Sequence, residues 1–364
     1  MMPLILKEID REIINLLSKR IAILNDSSLP TEAESGDITK LLASHGVPEF
    51  VWKSITISCA AAIASSTAST SVKPKKVTII GGYGKLGRFF SQQLANAGHD
   101  VSILEHNDWD EAPRLLGSAE FVLVGVPIEY TLSVIQQAAP YLKADTALAD
   151  ITSIKTPIVQ ELLKQHSGPV LSLHPMFGPG VQSFLSQNVI VCPGRQEQAF
   201  KWLLDLIESS GGKLIACTPE EHDRMMVAIQ AIRHFTTFSL GVFLAEEGID
   251  ISRSLDFSSP LYRLEIDIVS RLFAQDAALY VDIMSADDER RQAITRLVET
   301  YSRLAQLVQN QDEVALKREF ETTRSTFAAG ANQAVAESNH IIDSLSLLLA
   351  ANETEAQRAA PSLI

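Results

Sequence analysis

Cysteine is scarce in this 364-residue chain. Cys59, Cys192 and Cys217 are the only three. An odd number without CxxC spacing argues against a disulfide framework or a structural zinc site, and a reducing compartment is expected. Long apolar runs are missing as well. The longest, from Ile55 to Ala64, is interrupted by Ser and Thr and is too short to span a bilayer. The opening Met-Met-Pro-Leu-Ile-Leu passes straight into Lys7, Glu8, Asp10 and Arg11, without the charged, apolar and cleavage-site order of a secretory signal. A cytoplasmic location and no membrane partner are therefore expected. Basic charge is in deficit, with 31 Lys and Arg against 44 Asp and Glu and a net charge of −13. Such a surface repels nucleic acid and anionic lipid on average, which still leaves room for one local basic pocket. What is present is ordinary globular material, 46% hydrophobic and 21% charged, enough for two or three domains at about 100–200 residues each.

The apolar pattern divides the chain. Leu4, Ile5, Ile9, Ile13, Leu16, Leu17, Ile21 and Leu24 form one helical stripe, a weaker helix follows at about 36–45, and a third at about 48–64. Residues 1–68 read as a small helical domain and 69–74 as a linker, within a Ser/Thr-rich stretch leading to Lys73-Pro74-Lys75-Lys76. From residue 75 to 218, short apolar runs alternate with helices. Strands are expected at Val77–Ile80, Val101–Leu104, Phe121–Val126, Ala147–Ala149 and Val170–Leu173, with Val189–Cys192 and Lys213–Cys217 at the far edge. That alternation predicts a doubly wound α/β sheet. Residues 219–350 are periodic throughout, with long helices expected over 220–247, 259–273, 277–309 and 312–350 and a polar, flexible tail over 351–364. An all-helical domain of this kind suits a homodimer interface.

The first strand runs into Gly81-Gly82-Tyr83-Gly84-Lys85-Leu86-Gly87. In this GxGxxG, Gly82 is expected to make the tight turn, Gly84 to let a pyrophosphate approach the backbone, and Gly87 to let the next helix pack on the strand. The second strand ends in Glu105, 18 residues after Gly87, where a carboxylate accepts from both ribose hydroxyls and repels a 2′-phosphate. The reading is a Rossmann-like site for NAD, with Val126 and Pro127 flanking the cofactor after the third strand.

His174 follows the strand Val170–Leu173, at the edge where open sheets bind ligands. Neutral imidazole there suits removal of a hydroxyl proton during hydride transfer, although a structural histidine fits the position equally. Asp150-Ile151-Thr152-Ser153-Ile154-Lys155 follows another strand and offers Ser153 and Lys155 to the same cleft, or else Asp150 and Ser153 as helix caps. His222, Gln230 and His234 lie on one predicted helix, with Gln230 and His234 four apart on a shared face; each histidine is either a packing residue or part of a site. Arg263 and Arg271, eight apart, lean to one side of an apolar helix. They fit a carboxylate ligand or internal pairing with Glu265 or Asp267. No HExxH is present, and no metal is expected.

The segments Gly82–Gly87, Ile103–Glu105 with Asp108–Asp110, Asp150–Lys155, Leu173-His174-Pro175-Met176-Phe177-Gly178-Pro179, Glu221–Phe235 and Ser258–Gln275 resemble the prephenate dehydrogenase family. The likeness is greatest to members in which a chorismate mutase domain precedes the dehydrogenase. It spans roughly residues 74–350. It implies NAD-dependent oxidative decarboxylation of prephenate to 4-hydroxyphenylpyruvate, on the way to tyrosine or a related aromatic product. His174 then matches the catalytic histidine, Ser153 a serine beside the substrate hydroxyl, Arg271 the carboxylate-binding arginine, Arg263 a supporting position, and Gln230 and His234 pocket-lining positions. Arogenate dehydrogenase, a bifunctional mutase–dehydrogenase, and an inactive dinucleotide-binding regulator are the alternatives. Within residues 1–68 only Arg20 matches a mutase substrate arginine. An earlier arginine is replaced by Pro3, and the expected bases of the middle segment fall on Ser27–Asp37, which carries acids. Mutase chemistry needs cations around a dianion, so its loss is expected.

Overall fold

A computed structural model describes residues 2–25, 35–64, 73–178 and 180–359. It contains two compact units, Met1–Asp223 and Arg224–Ile364. The first begins with three helices, α1 (Met2–Leu24), α2 (Ser35–Ser44) and α3 (Glu49–Ala64). Helix α1 packs on α3, and the Arg20 guanidinium lies over the Trp52 ring at 5.2 Å. Most of the expected linker falls on residues 65–72, outside the described residues, as does most of Ser27–Asp37.

Alternation then sets in: β1 (Lys76–Ile80), α4 (Lys85–Asn96), β2 (Asp100–Leu104), α5 (Ala112–Ser118), β3 (Phe121–Val124), α6 (Ile128–Ala138), β4 (Ala147–Asp150), α7 (Thr156–Gln165), β5 (Val170–Pro175), β6 (Asn188–Arg195), α8 (Lys201–Ser209) and β7 (Lys213–Ala216). The strands form one sheet in the order β2-β1-β3-β4-β5-β6-β7. Strands β1 to β5 are mutually parallel, β6 is antiparallel to β5, and β7 is parallel to β6. The doubly wound sheet expected from the alternation is thus present. Successive residues feed opposite faces. Phe121 and Leu123 join one apolar layer with Phe90, Leu94 and Phe200, while Val122 and Val124 join another with Leu116, Ile135 and Leu162. Both faces are covered, which is why these strands read as unbroken apolar runs.

Three strand boundaries differ from expectation by two residues or more. β3 stops at Val124, before Gly125 and Val126, β5 continues through His174 to Pro175, and β6 runs on to Arg195. The extension of β5 has a clear cause: antiparallel β6 pairs His174 with Ile190 and Pro175 with Val189. Histidine 174 is therefore a strand residue, held by the ladder.

Helix α9 (Pro219–Met226) leads into the second unit, which continues with a π-wound stretch Val227–Ile232, α10 (Arg233–Glu246), α11 (Ile251–Asp256), α12 (Pro260–Phe273), α13 (Ala277–Ser285), α14 (Asp288–Gln309), α15 (Glu313–Phe327) and α16 (Ala331–Ala359). The expected helix 277–309 is broken because the Asp287 carboxylate accepts from Arg290 N at 2.8 Å and starts a new helix. The expected helix 312–350 is divided by a 3₁₀ turn at Ala328–Gly330, and α16 runs past Asn352 to Ala359. By length and composition alone, the run Pro219–Glu246 is apolar enough to cross a membrane, a feature hidden from a search for uninterrupted apolar residues.

The backbone of α4 approaches the end of β1 closely at Gly87. A Cβ there would lie 2.2 Å from Gly81 O and 2.8 Å from Gly82 Cα, both rigid neighbours. Gly87→Ala is expected to cost about 1–3 kcal/mol of stability through overpacking. Urea denaturation of the variant checks this, and an unchanged midpoint would remove the steric role.

Candidate active site

Strand order reverses between β1 and β3, and the loops leaving those two strands meet there, at the position where open sheets hold ligands. Gly81 takes the left-handed conformation, φ +81°, and a Cβ on it would strike Gly125 O at 2.7 Å. The tight turn expected at Gly82 is thus made by Gly81. Gly82 is required for a different reason: a Cβ would press into the Ile103 side chain at 2.7 Å. Gly84 caps α4 with no side chain of its own, and a Cβ there would meet only Gly81 O at 3.2 Å and Gly125 O at 3.9 Å. The backbone is left bare beside the N–H groups of the first turn, Lys85, Leu86 and Gly87, and the positive end of the helix dipole. Tyr83 N donates to Glu105 Oε1 at 2.7 Å, which fixes that carboxylate next to the turn. A carboxylate has further lone pairs to offer ribose hydroxyls. Val126 touches the turn, since its Cγ1 would lie 3.0 Å from a Cβ on Gly81, and Pro127 is the N-cap of α6. These residues fit a dinucleotide.

Next along the same edge, β4 ends in a buried ionic knot. Lys155 Nζ lies 2.7 Å from Asp150 Oδ2 and 2.8 Å from Ser172 Oγ, and all three side chains are inaccessible. Ser172 also donates to Asp150, and Thr152 N donates to Asp150 at 2.8 Å. Lys155 therefore turns inward and does not reach the cleft suggested by its spacing. Asp150 and Ser153 do not cap α7 either. The carboxylate of Asp223 does so from α9, accepting from Lys155 N at 2.9 Å and Thr156 N at 2.8 Å. Half-buried Ser153 sits in the loop between these two anchors.

His174 is 3% exposed and His222 1% exposed. Their rings meet edge to face, with Nδ1 of His174 2.7 Å from Nε2 of His222. His222 Nδ1 in turn lies 2.8 Å from Asp223 Oδ1. Burial alone would raise the Asp223 carboxyl, but hydrogen bonds from His222 and from the Thr156 and Lys155 backbone hold it far below the usual carboxylate range. Asp223 is the residue that sequence reasoning missed. Only its adjacency to His222 signalled it. Phe177 packs on Phe89 of α4 at 5.0 Å, tying the segment after His174 to the helix of the glycine turn.

The other expected residues belong to the second unit. Gln230 lies in the π-wound stretch, so the spacing of four to His234 spans a widened turn. The His234 ring stacks edge to face on Tyr280 at 4.9 Å. Burial, then the nearby Arg233 guanidinium, lowers its pKa to about 4. Tyr280 is raised by burial and drawn back by Arg233 and Arg271. Among the described residues neither Arg263 nor Arg271 forms an ion pair, so pairing with Glu265 or Asp267 is not what holds them. Arg271 is exposed and Arg263 half-buried on α12.

A doubly wound domain with a bare glycine turn, followed by a helical domain, defines a nucleotide-binding oxidoreductase. The family model "Prephenate dehydrogenase, nucleotide-binding domain" matches residues 89–216, and "Prephenate dehydrogenase, dimerization domain" matches 218–322. The T-protein of Haemophilus influenzae is 40% identical over 267 residues, covering 73% of this chain and 71% of the relative. The T-protein of Enterobacter agglomerans is 39% identical over 280 residues, 77% and 73%. The crystal structure of prephenate dehydrogenase from A. aeolicus in complex with hydroxyphenyl propionate and NAD+ has the same fold, with a TM-score of 0.57 at 18% identity over 71% of this chain and 99% of that one. The chain belongs to the prephenate dehydrogenase family.

Because His234 is held neutral, the unfolded chain binds more protons between the ordinary histidine value of 6.5 and about 4. Stability is expected to fall as pH drops through that window. In His234→Gln the dependence should flatten there; equal slopes of unfolding midpoint against pH in both proteins would exclude His234 as its source.

Proposed function

We propose that the protein is an NAD-dependent prephenate dehydrogenase, converting prephenate to 4-hydroxyphenylpyruvate and carbon dioxide. The observation that carries this reading is a buried histidine, His174, fixed at the carboxyl edge of the same sheet whose first strand opens into the glycine turn. An oxidised nicotinamide dinucleotide bound on the turn would accept the hydride from the hydroxyl-bearing carbon. Gly82, Gly84 and Gly87 with the start of α4 hold its pyrophosphate, and Glu105 its ribose, favouring NAD over NADP. His174 takes the hydroxyl proton and returns it to the oxygen as the ring becomes aromatic. Ser153 orients the hydroxyl. Arg271, which forms no ion pair among the described residues, binds a substrate carboxylate, supported by Arg263, while Gln230 and His234 line the pocket.

The helical domain serves as a homodimer interface. Phe238 and Phe243 of α10 are 38% and 56% exposed in the single chain and fall in the stretch matched by the dimerization domain, so subunit pairing accounts for the apolar surface of Pro219–Glu246. Residues 1–68 form a mutase-like segment without mutase activity. Its one matching arginine, Arg20, lies over Trp52, and too few cations accompany it.

Purified protein assayed with NAD is expected to turn over prephenate in preference to arogenate, and to leave chorismate unchanged. Preference for arogenate would reassign the substrate, and chorismate turnover without NAD would restore the mutase. His174→Asn should lower kcat by about 10²–10⁴. Arg271→Ala should raise KM for prephenate about ten- to a hundredfold with NAD affinity unchanged; an equal loss of both affinities would contradict the role given to Arg271.

A further inference from the structure

We propose that His222 and Asp223 are positioning residues that set the tautomer of His174, keeping the proton on Nδ1 and the lone pair on Nε2. The inference rests on the reading of His174 as the acceptor of the substrate's hydroxyl proton. The direction of the chain follows from Asp223. Its carboxylate takes N–H bonds from Lys155 and Thr156 at 2.9 and 2.8 Å, and a carboxylate so supplied stays ionised and can only accept. The 2.8 Å contact to His222 Nδ1 therefore requires the proton on that nitrogen. Neutral His222 then presents a lone pair at Nε2. The 2.7 Å contact between Nε2 and His174 Nδ1 has room for one proton, which must come from His174. Neutral His174 is left with an unprotonated Nε2, the form a base requires.

The same arrangement assists the step itself. When the hydroxyl O–H bond breaks, an Nε2–H bond forms and His174 becomes an imidazolium. Its charge is met through Nδ1–H by the His222 lone pair and, one ring further, by the negative charge of Asp223. No proton passes to Asp223, so a carboxylate of low basicity suffices, as in the Ser-His-Asp arrangement. Both rings are almost wholly buried, where such a dipole acts with little screening. Asp223 has a second effect. Its bonds to the backbone at Lys155 and Thr156 fix the end of the loop that carries Ser153, so the base and the serine are set by one anchor.

The test begins with nitrogen NMR of the full-length protein containing ¹⁵N-histidine, assigned with His174→Asn and His222→Gln. At neutral pH His174 is expected to show a protonated Nδ1 and an unprotonated Nε2. A proton on Nε2, as a cationic His222 donating at both nitrogens would impose, overturns the proposal. In kinetics His222→Leu, which removes the acceptor, should lower kcat about a hundredfold with KM for prephenate and NAD affinity retained. His222→Gln keeps an acceptor oxygen and should recover about tenfold of that. Equal rates in the two variants, or no loss in either, count against the relay. A fully active His174→Asn would instead strike at His174 as the base. The NMR result needs no substrate, so it stands apart from that failure.

Discussion

The sheet unit depends on how closely α4 can lie on β1. At Gly87 the helix comes so near the end of the strand that a single methyl would overlap the carbonyl of Gly81. That contact aims the start of α4 at the gap between the β1 and β3 loops. Gly81 continues the same constraint, since its left-handed turn brings the chain against Gly125 with no room for a side chain. The bare backbone at Gly84 is the product of these contacts. The aromatic cluster of Phe89, Phe90, Phe177 and Phe184 then holds α4 against the segment following β5, so turn and histidine share one rigid support.

Beneath that edge lies a set of buried polar groups whose members each have a partner. Lys155, Asp150 and Ser172 neutralise one another between β4 and β5. A buried pair of this kind adds little net stability, but removal of one member leaves an uncompensated charge. Its value here is positional. Lys155 is tethered by its side chain below and, through its amide, to Asp223 above, so the intervening Thr152–Ile154 loop has little freedom. Burial raises the pKa of the adjacent Cys192 thiol, with Cys217 at 4.0 Å adding to it, which fits cysteines that fill space.

Much of this was legible in the sequence. Apolar runs located the seven strands, most cleanly β3, whose four residues are all buried and carry no polar interruption. The glycines, Glu105 and His174 were legible because each stands at a strand end, where position alone suggests contact with a ligand. Less visible was whatever depends on contacts between distant segments. Asp223 lies 67 and 68 residues from the amides it caps, and no local pattern links them. His222 looked like any helical histidine until β5 brought His174 to it. Lys155 was expected to reach outward because the burial of Asp150 and Ser172 is a property of the assembled sheet. Asp287 breaks a periodic stretch without the glutamate three residues on that marks a capping box, so apolar periodicity ran through it unnoticed.

The wide turn at Val227–Ile232 bears on how the helical unit tolerates changes in length. A π-wound stretch stores one residue more than an α-turn while the flanking segments keep their phase. An insertion or deletion elsewhere in α10 would swing every later side chain about 100° around the axis. Here, a one-residue deletion would simply regularise the winding, leaving the faces of Arg233 and His234 in register while moving Gln230. The segment is thus a place where Gln230 can be moved without disturbing the packing of α10 against α12.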